Sequence, residues 1–301
     1  MTQTPDITGE IAPGFEPVRD VFASLWDASD EIGAAFAVEI AGARVVDLRG
    51  GWTTPRREAA WSADTIVPVF STGKAITALV MGWLRDQGQF RFSDRVSAHW
   101  PAFAQAGKQD VTIAQALSHQ AGLSGLSEEM AATDWFDRDA IEEMLAGQAP
   151  LWPLGEGSGY HPITFGFIAD AIARRTDGRT IGEILTDEIA GPRELDFFVG
   201  TPENEHARIA EHKLPPKPPF LGKINDIKAL AFLKPWSSPG RRGAEAWRRA
   251  EFPAANGHGS AAAIASLMGV FANGGKLGRD RLLSEDTVTE ILTEQVSGED
   301  R

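Results

Sequence analysis

At Ser71 the spacing of apolar side chains changes, and that change limits the fold more than any other feature of the chain. Before it, "AAFAVEIAGARVVDLRGGW" carries two β-branched apolar runs around Ala41-Gly42-Ala43, the pattern of a hairpin entering an antiparallel sheet. "DTIVPVF" (64–70) reads as extended, because Pro68 disfavours helical backbone at Val67. After it, Ile76, Leu79, Val80, Trp83 and Leu84 recur at three and four, which predicts a helix from Ser71 with Gly88 as its stop. Upstream, Phe15, Val18, Phe22, Leu25 and Trp26 mark one amphipathic helix over Phe15 to Ala28.

Helices dominate from there. A short one starts at about Thr112 in "VTIAQALSHQAGL", another spans "DRDAIEEMLAG", and a third, "ITFGFIADAIARRTDG", stops at Asp177-Gly178. "IGEILTDEIAG" and "SAAAIASLMGVFANGG" continue the helical spacing, while "KLPPKPPFLGK" (213–223) reads as an extended surface loop. A little sheet followed by a long helical block, without alternation of strand and helix, predicts α+β rather than a doubly wound parallel sheet. The whole chain, 1–301, reads as a single domain. Residues 1–70 and about 240–301 form its sheet-associated part, and about 71–240 its mainly helical part.

Charge and composition narrow the function. With 29 Lys+Arg against 42 Asp+Glu the net charge is −13, which repels phosphate backbones and anionic lipid, so neither nucleic acid nor a membrane is expected as a partner. The chain has no cysteine, which excludes disulfides, thiolate catalysis and cysteine-ligated metals. The N-terminus "MTQTPDITGEIAPG" has neither a basic start nor an apolar core, so a cytoplasmic location is expected. No histidine pair has helix-face metal spacing, and no Gly-x-Ser-x-Gly elbow occurs. No metal and no cofactor is therefore expected.

The candidate chemistry begins with "FSTGK". If a helix starts at Ser71, then Ser71 and Lys74 share a face one turn apart and the amine reaches the hydroxyl. The free N–H groups of that turn favour negative charge developing beside Ser71, and Gly73 would leave the backbone side open to a substrate. A solvated lysine is protonated and useless as a base, whereas burial under the apolar run would lower its pKa. An N-capping serine beside a solvated lysine fits the same four letters equally well. Tyr160, the only tyrosine, ends the glycine-rich "PLGEGSGY" and precedes a helix. That place suits a phenol aimed into a cleft, although by composition alone a packing residue with a hydrogen-bonding tip is the commoner role. His258, in the turn "NGHGSAA", is placed either to line a pocket or to pack on its neighbours.

Taken together, these stretches resemble one family. "FSTGK" resembles the Ser-x-x-Lys motif of class C β-lactamases, penicillin-binding proteins and family VIII carboxylesterases. "TIAQALSHQAGLSG" is similar to the "T-I-x-x-L-L-x-H-x-x-G-L" segment that follows in those proteins. "PLGEGSGYHPITFGFIADAIARRTDGRTIGEIL" and "NGHGSAAAIASLMGVFANGGKLGRDRLLSEDTV" resemble their tyrosine loop with its helix and the later helix, in the same order. The resemblance runs from about residue 12 onward. It implies an antiparallel sheet flanked by helices, a mostly helical second region, and an active site between them.

It also implies roles. Ser71 would form an acyl-enzyme, Lys74 and Tyr160 would share the general-base work, and the backbone N–H of Ser71 would supply half of an oxyanion hole. His119 would fix the loop before Gly122. His161, Gly257 and His258 are the candidate substrate-binding residues. The expected substrate is a small short-chain ester, and a homo-oligomer is compatible with all of this. The alternative is a catalytically weak penicillin-binding-protein-like homologue taking peptides or β-lactams, or a low-activity β-lactamase.

Two departures shape the expectation. β-Lactamases carry Asn two residues after this tyrosine, where this chain has Pro162, and the change points towards esters. The family also continues into a Lys-Thr-Gly, His-x-Gly or Trp-Gly-Gly strand, and no such motif precedes Arg301. Sequence alone therefore leads one to expect a C-terminally incomplete fold, with one cleft wall and one oxyanion donor supplied from elsewhere.

Overall fold

In the computed structural model, which describes residues 5–28, 31–213 and 220–301, strand β2 (Gly33–Ile40) turns into β3 (Ala43–Gly51) through Ala41 and Gly42. Both turn residues have positive φ, +49° and +79°, the backbone of a two-residue hairpin turn whose twist matches that of its strands. The register sets Phe36 opposite Leu48 and Val38 opposite Val46, with a bulge between Val38 and Glu39. A strand that the spacing does not announce, β1 (Thr8–Ile11), pairs antiparallel with the other side of β3. Its Gly9 sits at φ +111°, and a Cβ there would lie 1.9 Å from the Asp47 carbonyl oxygen. Only glycine allows so close an approach.

Helix α1 (Glu16–Ala28) covers one face of this sheet. Phe22 and Trp26 meet edge to face at 5.3 Å and bury against Val46 and Leu48 to form a small satellite core. A later helix over Ala261–Ala272, capped by the Ser260 hydroxyl, also packs on β2. Glu39 fixes it, accepting from the Ser266 hydroxyl at 2.5 Å and from the Arg44 guanidinium at 2.7 Å.

The main core surrounds two helices. In α2 (Gly73–Asp86), Ile76, Leu79, Val80, Met81 and Leu84 have no exposed surface. The chain then passes through α3 (Val96–His99), α4 (Ile113–Leu117) and α5 (Arg138–Gly147) before α6 (Thr164–Thr176). Every residue of α6 from Thr164 to Ala173 is buried, Asp170 included, so this helix runs through the core. α6 packs directly on α2. The start of α4 is set by a reciprocal cap: the Thr112 hydroxyl accepts from the Gln115 N–H, and the Gln115 side chain accepts from the Thr112 N–H.

A second antiparallel sheet joins distant parts of the chain in the order β4 (Val67–Pro68), β6 (His258–Gly259), β5 (Phe197–Phe198). Only two residues of "DTIVPVF" therefore enter a ladder, and Ile66 adds a bridge to Ile209. "IGEILTDEIAG" is α-helical only over Ile181–Ile184 and continues as a wider π-helical stretch, Leu185–Ala190. The proline-rich loop falls largely on residues 214–219, outside the described residues. Antiparallel sheets with a dominant helical block make the fold α+β. Among the described residues no helix is long and apolar enough to cross a membrane.

Candidate active site

Ser71 stands in a tight turn of 3-10 helix, Phe70–Thr72, that feeds directly into α2. Its hydroxyl caps nothing: the N-cap of α2 is Thr72, without a side-chain cap, which removes the capping reading. Phe70 has φ +47°, a left-handed backbone that costs a bulky residue about 1–3 kcal/mol and persists only where its surroundings hold it. They do: the Phe70 ring packs 5.2 Å from His212 and 6.4 Å from Trp247. The outcome is an exposed Ser71 at the edge of a buried helix. Gly73 differs from expectation. It is buried, and a Cβ there would face the Pro253 carbonyl at 3.4 Å, so it makes room for the 253–257 loop rather than for a substrate.

That loop is built around Asn256, which has no exposed surface. Its side chain donates to the carbonyls of Trp247 and Ala250 and accepts from the Phe252 N–H. The Thr77 hydroxyl of α2 donates to the Pro253 carbonyl at 3.0 Å. The Ala254 carbonyl is thereby aimed at Lys74.

The Lys74 ammonium nitrogen lies 2.8 Å from the Pro162 carbonyl oxygen, 2.9 Å from that of Ala254, and 3.4 Å from Ser71 Oγ. Burial lowers its pKa from the ordinary 10.5 to about 7. The ring faces of Tyr160 at 4.7 Å and Phe165 at 5.8 Å attract the cation and oppose that shift. Two carbonyls match the two N–H bonds of a neutral amine. Ser71 Oγ takes the third direction around the amine, where a neutral lysine would present its lone pair.

Tyr160 completes the group. Burial raises the pKa of its phenol above the ordinary 10, with the nearby Ser71 hydroxyl opposing that rise. The phenol therefore keeps its proton at neutral pH. The ring rests edge-on against His119 at 5.0 Å and stacks on Phe232 at 6.3 Å. Its backbone N–H donates to the Asp300 carboxylate at 2.8 Å.

His119 ties the two loops together. At φ +66° its Nδ1 accepts from the His161 N–H at 3.2 Å, and its carbonyl accepts from the Gly159 N–H at 3.1 Å. Burial, with the nearby Lys74 charge adding to it, lowers its pKa to about 4. Gly122 follows at φ +70°, where a Cβ would meet Pro150 at 2.6 Å.

The three candidate substrate-binding residues are elsewhere. His161 has no exposed surface. Its Nε2 accepts from the Leu123 N–H at 3.0 Å while Nδ1 lies 2.6 Å from the Gly159 carbonyl, so it locks the tyrosine loop to the loop after α4. His258 is likewise fully buried, with Nδ1 2.9 Å from the Thr201 hydroxyl and its ring against Trp247. Burial pushes both imidazoles down, to about 3 and about 4. Gly257 gives its carbonyl to the Val69 N–H, and Phe197 leaves no room for a Cβ there. None of the three lines the cleft: each holds a wall from behind.

The cleft in front of Ser71 has a volume of about 240 Å³. Phe70, Tyr160, Pro162, Ile163, Phe232 and Trp247 form its apolar walls, and Ser238 and Arg242 its polar rim. Sequence patterns do not flag Arg242 or the Phe232 to Arg242 loop. The two carbonyls that hold Lys74 also went unforeseen, because a backbone oxygen leaves no mark on a sequence.

A family model described as Beta-lactamase matches residues 18–301. The chain is 34% identical over 306 aligned positions to the esterase/beta-lactamase LipL of Mycobacterium tuberculosis (strain ATCC 25618 / H37Rv), covering 95% of this chain and 69% of that protein. Among solved structures, a penicillin-binding protein homologue from Caulobacter crescentus superposes with a TM-score of 0.94 at 45% identity, over 98% of this chain and 79% of that one. A family VIII carboxylesterase superposes with a TM-score of 0.87 at 39% identity, over 95% and 76%.

Proposed function

The chain belongs to the Beta-lactamase family of serine hydrolases, and from that premise we propose that it cleaves small, short-chain carboxylic esters through an acyl-serine. The observation that carries this reading is the arrangement at Lys74. An amine with a pKa of about 7, two carbonyl acceptors and a serine hydroxyl at 3.4 Å is poised to take a proton near neutrality.

The Ser71 hydroxyl passes its proton to the Lys74 lone pair as Oγ adds to the ester carbonyl carbon. The tetrahedral oxyanion sits against the N–H groups at the head of α2, the Ser71 N–H among them. Collapse of that species breaks the ester C–O bond, and the departing alkoxide takes a proton relayed from the Lys74 ammonium through the Tyr160 phenol. Water then attacks the acyl-serine by the same proton path in reverse and releases the acid. Pro162 in place of a side-chain amide, together with a cleft of about 240 Å³, favours a small acyl group over a β-lactam carrying a bulky side chain.

The test is hydrolysis of p-nitrophenyl butyrate by the wild-type protein and by Ser71→Ala. The substitution removes the covalent intermediate and should abolish detectable turnover; wild-type rates in that variant would discard Ser71 as the nucleophile. A second reading, slow acylation by penicillin, draws on the likeness to the penicillin-binding protein homologue. Intact-mass measurement after labelled penicillin separates the two readings: a long-lived adduct on Ser71 with no ester turnover favours the second.

A further inference from the structure

Among the described residues that line the cleft, Arg242 is the one charged side chain. Its guanidinium carbon lies 5.6 Å from the centre of the Phe70 ring, and Phe70 directly precedes Ser71. The other arginines set a contrast. Arg174 touches Glu142, Asp170 and Asp139; Arg179 touches Asp177, Asp187 and Glu188; Arg208 touches Asp196 and Glu205. In a chain carrying thirteen more acidic than basic side chains, Arg242 has no carboxylate within ion-pair distance among the described residues. Beside it, Ser238 lines the same rim with a hydroxyl that has no hydrogen-bond partner among the described residues.

We propose that Arg242, with Ser238, is an anion site that selects esters bearing a carboxylate at the far end of a short acyl chain, the half-esters of short dicarboxylic acids. The inference rests on the esterase reading and specifies its substrate class. The guanidinium presents a planar pair of N–H donors that matches a carboxylate, and its contact with the Phe70 ring holds that plane at the rim before any ligand arrives. The acyl methylenes lie along Phe70 and Trp247. The scissile carbonyl meets Ser71, and a short spacer suffices because the residue under the guanidinium adjoins the nucleophile. The overall negative charge makes the site selective, since elsewhere the surface offers an anionic ester little welcome.

The experiment compares kcat/KM for p-nitrophenyl hydrogen glutarate with that for p-nitrophenyl valerate, its uncharged counterpart of equal chain length. In Arg242→Gln the ratio of the two should fall about 10- to 100-fold, the size of a lost charge-assisted contact, with Arg242→Lys in between. A ratio that stays within twofold of wild type overturns the proposal while leaving the esterase reading intact. Calorimetric binding of monomethyl glutarate to Ser71→Ala supplies a readout that needs no turnover. Binding there that disappears in Ser71→Ala/Arg242→Gln supports the anion site even if no ester is hydrolysed, and equal binding in both proteins refutes it.

Discussion

Lys74 and Lys108 are both amines withdrawn from solvent and held by backbone carbonyls, and only Lys74 also meets a serine hydroxyl, the arrangement of the base proposed above. Lys108 has no exposed surface and donates to three carbonyls, those of Gln105, Ala146 and Gln148. Lys74 donates to two and meets a hydroxyl with its third direction. Burial depresses both, to about 8 and about 7, so desolvation alone does not distinguish them. The number of acceptors does. Three carbonyls require the three N–H bonds of an ammonium, whereas two suit a neutral amine whose lone pair is left for Ser71. Lys108 closes the carbonyl end of α5 onto the loop over residues 105–108, and Lys74 opens onto a cleft.

The contrast breaks most sharply by substitution. Lys74→Met should lower kcat/KM for a short-chain ester by about 10³-fold, within the range for loss of a general base, while Lys108→Met should change it less than threefold. Comparable losses in both would mean that burial, not acceptor count, makes the base. Tyr160→Phe keeps the ring against His119 and removes the phenolic proton relay. It should cost about 10²-fold in kcat with little change in KM, and a matched rise in KM would instead assign the phenol to ground-state binding.

Smaller effects sharpen the picture. Because the base must be unprotonated, kcat/KM should fall about tenfold per pH unit below pH 7, the limb set by Lys74. Lys108→Met should leave that limb where it is. The same substitution strands three carbonyls and should cost about 3 kcal/mol in denaturant unfolding, more than Lys74→Met, which strands two. Both lysines bind protons less readily folded than unfolded. Their contribution to stability therefore rises with pH from about 7 or 8 towards 10.5, and urea midpoints across that window measure it.

Much of this was legible in the sequence, and the remainder has identifiable physical reasons. Side-chain periodicity located α1, α2, α5 and α6 because their buried faces follow one helical repeat. Ala41-Gly42 marked the hairpin because its backbone requires positive φ. Strand β1 escaped because four residues around Gly9 carry no alternation; β5 and β6 escaped, and the extended stretch over 64–70 shortened to β4, because two-residue strands exist only through partners far away in the chain. In the site, Ser71, Lys74 and Tyr160 were readable as side chains in ordered motifs. Pro162 and Ala254 were not, since their contribution is a carbonyl placed by the loop that Asn256 organises. His161 and His258 misled for a related reason. A histidine beside a glycine-rich turn looks like a ligand-binding group, and here both nitrogens of His161 meet buried backbone groups and Nδ1 of His258 meets the Thr201 hydroxyl instead.

Everything proposed for Ser71 depends on Lys74 giving up its proton near pH 7. The most direct test is an NMR titration of the protein with 13C-labelled lysine side chains, with Lys74 and Lys108 assigned from their single methionine variants. The Lys74 ε-carbon should titrate at about 7 and the Lys108 ε-carbon at about 8. A Lys74 signal that still titrates near its ordinary 10.5 would mean that the amine stays protonated and is no base at neutral pH.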